Sequence, residues 1–151
     1  MTKEKKESVE KKSPVNKITI NKQYIKDLSF ESPQAPNIFT IKDFAPKINI
    51  QVNVNAKKIQ EEVFEVEMCI EVTAEKEEEK VFILELIYAG VFTTQGIEKE
   101  DIERVLLVNC PYLLFPFARR ILSDITRDAG FVPINLNPID FQTMFEGRKK
   151  K

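Results

Sequence analysis

Histidine is absent from the chain, and cysteine occurs only at Cys69 and Cys110. Without histidine the chain lacks the commonest general base and metal ligand, and two distant cysteines cannot complete a zinc site of familiar ligand spacing. No P-loop motif (GxxxxGKS or GxxxxGKT) and no GxGxxG motif occurs, so nothing indicates nucleotide or dinucleotide binding. We therefore expect a protein that is not an enzyme, with no catalytic residues, no metal and no cofactor.

Targeting and membrane-spanning segments are also missing from the sequence. The N-terminal stretch MTKEKKESVEKKSPV is charged and lacks the apolar stretch of a signal peptide. Nowhere do about 18 apolar residues follow one another. Two cysteines do not make a disulfide framework, which indicates a reducing compartment. These absences predict a soluble, cytoplasmic protein with no direct membrane insertion.

At 151 residues, 42% of them hydrophobic, the chain is long enough for one ordinary core. Interleaved lysine and glutamate predict a disordered charged tail over residues 1–15, and residues 148–151 are a basic tail that follows a single domain at 16–147. Residues 13–147 hold 14 basic and 21 acidic side chains, a charge of −7. An acidic domain argues against a nucleic-acid surface and for a basic partner.

Four segments show the alternation of polar and apolar residues that is typical of strands, or a continuous apolar run, at 18–31, 48–55, 64–73 and 80–92. In the first segment Lys22 and Lys26 interrupt the apolar parity, whereas Asp27 and Glu31 fall on the outward parity. The fourth is apolar on both parities, so it must be covered on both sides or left partly open for a partner. Gly90 near its end permits a bulge or a close backbone approach.

The outward parity of the third segment carries Glu65, Glu67 and Glu71 and no lysine. One interpretation is a face that only solubilises the protein, because charged outer faces are ordinary. The other interpretation is a docking surface for a cationic partner. Acid–base catalysis is not favoured, because carboxylates that alternate along an exposed face are not expected to have raised pKa values.

Residues 31–46 form a long connection with three prolines and no helical or strand period. A loop of about fifteen residues is long enough to cross over other elements or to carry function. Its apolar residues Phe39, Ile41 and Phe44 either pack on their own sheet or face a ligand, and the sequence leaves both interpretations open.

The remainder predicts helices. Apolar residues at helical spacing run from Ile102 to Gly130, with a break before Pro111 and a kink or restart expected at Pro116. The stretch CPYLLFPF is apolar nearly all round, so we expect its second side to meet another subunit, with Leu114, Phe117 and Ile121 at the interface. A short helix over 141–146, capped by Asp140, ends the predicted elements.

Several motifs together resemble the SecB family of bacterial protein-export chaperones. They are CPYLLFPFARRIL at 110–122, YIKDLSFESPQAPNIF at 24–39, FILELIYAGVFTTQGI at 82–97 and PINLNPIDF at 133–141. The resemblance implies a homotetramer, a dimer of dimers, of α+β subunits. Each subunit is expected to have a four-stranded antiparallel sheet, a long crossover loop after the first strand, and one long and one short helix packed on one face. The resemblance also implies that the protein holds unfolded precursor proteins without ATP and delivers them to the motor SecA.

The resemblance further implies two sets of binding residues. The SecA-binding set, on an acidic sheet surface that docks the basic, zinc-binding C-terminal segment of SecA, is Asp27, Glu31, Ile83 and Glu85. We expect Glu65, Glu67 and Glu71 to extend that acidic field. The client groove, between the crossover loop, the second strand and the terminal helix, comprises Phe39, Phe44, Ile48, Ile50, Val52, Phe141, Met144 and Phe145.

Two alternatives stay open at this point. A SecB-like chaperone that serves a toxin–antitoxin pair would carry the same motifs, and genomic neighbourhood would separate it from an export chaperone. A small α+β enzyme with a ligand in a helix-over-sheet pocket is less favoured, because no nucleophile or base with a partner is visible.

Overall fold

A computed structural model describes residues 17–149, so the predicted tail at 1–15 lies outside the described residues. The four strands are β1 (Lys17–Glu31), β2 (Lys47–Gln60), β3 (Val63–Lys76) and β4 (Glu79–Gln95). The helices are a 3₁₀ turn (Asn37–Thr40), α1 (Lys99–Arg104), a π-helical segment (Val105–Asn109), α2 (Cys110–Asp128) and α3 (Phe141–Lys149). The helix α3 includes Arg148 and Lys149, the first two residues of the segment predicted as a basic tail.

The strands form one antiparallel sheet in the order β1-β4-β3-β2. The connection between β1 and β2 therefore crosses from one edge of the sheet to the other. The helices lie on one face, which we call the inner face; the opposite face is the outer face. The predicted α+β fold, with a four-stranded antiparallel sheet, a long crossover loop and a long and a short helix, is confirmed.

Two bulges in β1 explain why lysines interrupt its alternation. The pairing with β4 skips Asn21 and Lys26, and each skip exchanges the two faces of the strand. Asp27 and Glu31 come after both skips and share the outer face, as predicted. Tyr24 lies between the two skipped residues, Asn21 and Lys26, and also faces outward, although simple parity placed it with the apolar residues.

The core lies between the inner face and the long helix, where the side chains of β4 and α2 are fully buried. Leu84 and Phe92 of β4 and Leu114 of α2 each have no solvent exposure, and full burial of such a side chain is worth about 1.5–3 kcal/mol. At Gly90 a Cβ atom would lie 2.7 Å from the Phe92 ring and 3.1 Å from Leu114 Cδ2. Of the two predicted roles of this glycine, the close approach is the one observed.

The long helix is continuous from Lys99 to Asp128, so the predicted break before Pro111 is wrong. Of the kink or restart predicted at Pro116, the restart is wrong. The irregularity is the π-helical segment just before Pro111, where the Cys110 N–H bonds to the Val105 carbonyl five residues back. Pro116 lies inside α2 without interrupting it. Although this helix is long and apolar enough to span a membrane, Cys110, Leu114, Ala118 and Leu122 are buried in the core, as expected of a core helix.

The N-terminus of α3 is capped by Asp140, in agreement with the prediction. Its Oδ1 atom accepts the Thr143 N–H at 3.0 Å, and Oδ2 accepts the Thr143 hydroxyl at 2.8 Å. The bonds to Thr143 lower the pKa of the Asp140 carboxyl, because they favour its charged form.

Candidate functional site

The outer face brings together the four residues predicted to bind a basic partner. Asp27 lies opposite Ile87, and Glu31 lies opposite Ile83. Glu85 lies between Ser29 of β1 and Glu71 of β3. Neighbouring strands are about 4.8 Å apart, so these side chains form one continuous patch. Within it, Asp27, Glu71 and Glu85 line a shallow depression of about 570 Å³.

Lys26, the bulged residue of β1, changes the charge of this face. Its Nζ atom lies 2.9 Å from Glu65 Oε1 and also pairs with Glu67. The Tyr24 hydroxyl donates a hydrogen bond to the other oxygen of Glu65. Glu65 and Glu67 face outward as expected, but a lysine of the same chain pairs with both, so together they add a formal charge of −1 to the acidic field instead of −2.

The pKa values follow from this cluster. The hydrogen bonds from Tyr24 and Lys26 lower the pKa of the Glu65 carboxyl. Burial and the hydrogen bond to Glu65 raise the pKa of the Tyr24 phenol to about 12. Hydrogen bonds to Glu67 and Glu65 raise the pKa of Lys26, so it stays charged. The cluster thus combines two carboxylates with one ammonium group.

Asp27, Glu31, Glu71 and Glu85 are all exposed. Within residues 17–149 none of these four carboxylates takes part in an ion pair. We call this set the acidic patch. With the half-buried Ile83 beside it, the acidic patch can bind lysine or arginine side chains that are interspersed with apolar ones.

An apolar cavity of about 400 Å³ lies beside the crossover loop, where the loop leads into β2. Its walls come from the loop, the start of β2, Phe82 of β4 and the segment that follows the long helix. The lining residues are Ile38, Phe39, Ile41, Phe44, Pro46, Ile48, Phe82, Gly130, Phe131, Val132, Pro133 and Ile134. Phe39 is half exposed, and its ring lies 5.2 Å from that of Phe131.

Thr126 holds the wall formed by residues 131–134 in place. Its buried hydroxyl donates to the Leu122 carbonyl at 2.8 Å and accepts the Ile134 N–H at 2.9 Å. The chain leaves the helix at Gly130, where φ is +94° and a Cβ atom would lie 3.1 Å from the Phe39 ring. Glycine adopts this φ without strain, so Phe39 can pack directly against the turn.

The structure unites only part of the predicted client groove. Phe39, Phe44 and Ile48 line the cavity, and Ile50 and Val52 continue along β2. Residues of α3 do not line the cavity: Phe141 and Phe145 are 0% and 5% exposed, and Met144 is half-buried.

Aromatic packing explains why Phe141 does not line the cavity. The Phe141 ring contacts Tyr112 at 5.0 Å and Phe115 at 6.2 Å between ring centres, so it belongs to the core beneath α2. The prediction missed the segment after the helix, residues 131–134, although the apolar run Phe-Val-Pro-Ile directly after Gly130 was a signal for it.

The predicted oligomer interface is also corrected in one residue. Leu114 is fully buried in its own subunit, because it points at Gly90. Phe117 is 42% exposed, and Ile121 is half-buried. Tyr112 and Leu113 are exposed beside Phe117. We call these four residues the helix patch.

Three comparisons with known proteins bear on this arrangement. The family model described as preprotein translocase subunit SecB matches residues 10–151. The chain belongs to the SecB family. This confirms the resemblance found in the motifs, and the SecB family comprises chaperones of protein export, which is not an enzyme class.

Curated SecB relatives match most of the chain. Protein-export protein SecB of Mesorhizobium japonicum is 46% identical over 82% of this chain and 74% of its own length. That of Acidiphilium cryptum is 43% identical over 87% of this chain and 89% of its own length. A solved SecB-like chaperone of Mycobacterium tuberculosis, in complex with an antitoxin peptide, has a TM-score of 0.67 at 13% identity and covers 81% of this chain and 90% of its own. This last similarity concerns the fold alone.

Proposed function

We propose that this chain is a cytoplasmic chaperone that holds precursor proteins unfolded without ATP and delivers them to SecA. The observation that supports the proposal is the pairing of two unlike surfaces on one SecB fold. The apolar cavity suits an unfolded polypeptide, and the acidic patch suits a positively charged partner.

Client binding needs apolar surface that accepts many sequences. Unfolded chains expose aromatic and branched side chains together with unpaired backbone groups. The aromatic walls of the cavity can take the side chains, and the free edge of β2 can take the backbone. A protein that binds only unfolded chain shifts the folding equilibrium by mass action, so holding needs no nucleotide.

SecA docking would use the acidic patch. Asp27, Glu31 and Glu85 are exposed and unpaired among residues 17–149, and Ile83 offers apolar contact beside them. Glu71 lies opposite Glu85 and enlarges the set. One exposed ion pair contributes only about 0–1 kcal/mol, so several carboxylates are needed, and several copies in an oligomer add effective concentration.

The oligomer we propose is a homotetramer built as a dimer of dimers. The helix patch supports it, because Tyr112, Leu113 and Phe117 keep 41–46% of their surface exposed on the long helix. A subunit with such a surface gains by burying it against a second copy.

Two measurements test the proposal, and each is made on the wild type and on two variants. One readout is suppression of aggregation of a reduced, denatured protein without nucleotide, and the other is binding of the basic C-terminal segment of SecA at low salt. The double reversal Asp27→Lys with Glu85→Lys should abolish segment binding and leave suppression intact. The variant Phe39→Asp should show the opposite pattern.

Normal binding of the segment by the double reversal would contradict the docking assignment. A wild-type protein that suppresses no aggregation would contradict the chaperone assignment itself.

A further inference from the structure

Arg148 of α3 contacts the backbone at the free edge of the sheet. β2 pairs with β3 on one side and with no described strand on the other. The Val54 carbonyl accepts a hydrogen bond from Arg148 Nη2 at 2.8 Å. Alternate residues of an edge strand direct their backbone groups to the open side, so this contact assigns Val54 to the open side, with Ile50 and Val52.

Accessibility changes locally at Val54, the residue that Arg148 contacts. Ile48 and Ile50 are 39% and 41% exposed, whereas Val54 is 1% exposed. Ile48 also lines the apolar cavity. An extended chain can therefore pair beside the cavity, and its path along β2 meets Arg148 at Val54.

Arg148 is held on two acceptors of the strand. Besides the Val54 carbonyl, Nη2 donates to Asn53 Oδ1. The next cation, Lys149, does not share this role, because its Nζ atom lies over the Phe145 ring at 4.6 Å. Arg148 and Lys149 carry the same charge, but the contacts with β2 are made by Arg148.

We propose that Arg148 is a stop that limits how far an extended client pairs along β2. The inference rests on the proposed function, since it specifies how a client meets the sheet. The client backbone pairs with Ile48, Ile50 and Val52 and ends where the guanidinium occupies the Val54 carbonyl. The site then selects short extended segments with apolar side chains, and a longer strand gains no further backbone bonds.

The test uses capped peptides of alternating leucine and serine that are shorter than, equal to and longer than the stretch Lys47–Asn53. With the wild type, affinity should rise up to that length and then stay level, and hydrogen exchange should slow at Ile50 and Val52. With Arg148→Met, affinity should keep rising several-fold for the longer peptides, and slow exchange should extend past Val54.

The matched control is Lys149→Met, which removes the same charge and should keep the wild-type length limit. Asn53→Ala retains Arg148 but removes one of its acceptors, and it should give an intermediate limit. An unchanged limit in Arg148→Met, with aggregation suppression intact, overturns the stop and leaves the proposed function standing. Loss of suppression by the wild type overturns the proposed function, and the stop with it.

Discussion

At the scale of single residues, Lys26 sets how much of the negative charge on the outer face remains available to a partner. As the extra residue of a bulge it reaches both Glu65 and Glu67, so those carboxylates neutralise a charge of their own chain. The carboxylates of the acidic patch lie on other rows of the sheet and stay exposed. The bulge therefore divides the carboxylates of the outer face into two sets, those that pair with Lys26 and those that stay exposed.

Tyr24→Phe removes the hydrogen bond to Glu65. We expect the free energy of unfolding at pH 7 to fall by about 1 kcal/mol. The folded pKa of Glu65 is lowered from 4.5, so its contribution is present above pH 4.5 and is lost as the pH falls through the folded pKa. The difference between variant and wild type should therefore shrink in acid.

Denaturant unfolding at neutral and acidic pH measures this difference. Tyr112→Phe is the matched control, since its hydroxyl makes no hydrogen bond within the described part of the chain. An equal loss for both variants, or a loss that does not change with pH, would contradict the assigned role of Glu65.

At the scale of elements, the two ends of α3 make different contacts. Its first turn is fixed by the Asp140 cap and by the burial of Phe141. Its last turn carries Arg148 to the edge of β2. A change at the cap should therefore be felt at the other end of the helix.

Asp140→Ala removes the acceptor for the Thr143 N–H. We expect Tm to fall by a few degrees and hydrogen exchange of α3 to become faster. Because the pKa of Asp140 is lowered in the folded protein, its contribution is present above the ordinary pKa and is lost as the pH falls. Asp140→Asn keeps an acceptor oxygen and should lose less at neutral pH; equal losses for both variants would argue against the cap.

At the scale of the whole molecule, the sheet, the crossover loop and the long helix carry three different surfaces. The outer face carries the acidic patch, the crossover loop covers the apolar cavity, and the long helix carries the helix patch. These surfaces come from different elements around one core, so the proposed contacts with client, motor and second subunit need not compete.

Phe117→Glu should dissociate the proposed homotetramer, because it places a charge in the middle of the helix patch. Native mass spectrometry and sedimentation measure the outcome. Val132→Glu is the control: Val132 is 86% exposed, so it is even more accessible, but it lies at the cavity. An assembly that survives Phe117→Glu, or one that is broken by Val132→Glu, would show that the subunits meet elsewhere.

Strand alternation, the acidic third strand and the motifs were sufficient to predict the α+β fold, the family and the outward position of Asp27 and Glu31. Local patterns predict these features because the two faces of a strand and the stripe of a helix are short-range properties. The position of Tyr24 was missed, since one bulge shifts parity and no single residue announces it.

The sequence by itself determined which side chains are apolar, which are charged and in what order they alternate, and this is enough for the sheet and the long helix. Only the tertiary structure decided that Phe141 and Leu114 are core, that Lys26 pairs with Glu65, and that Arg148 reaches Val54. Such contacts join residues far apart in the chain, and their partners are chosen by packing in three dimensions, which periodicity along one strand or helix does not contain.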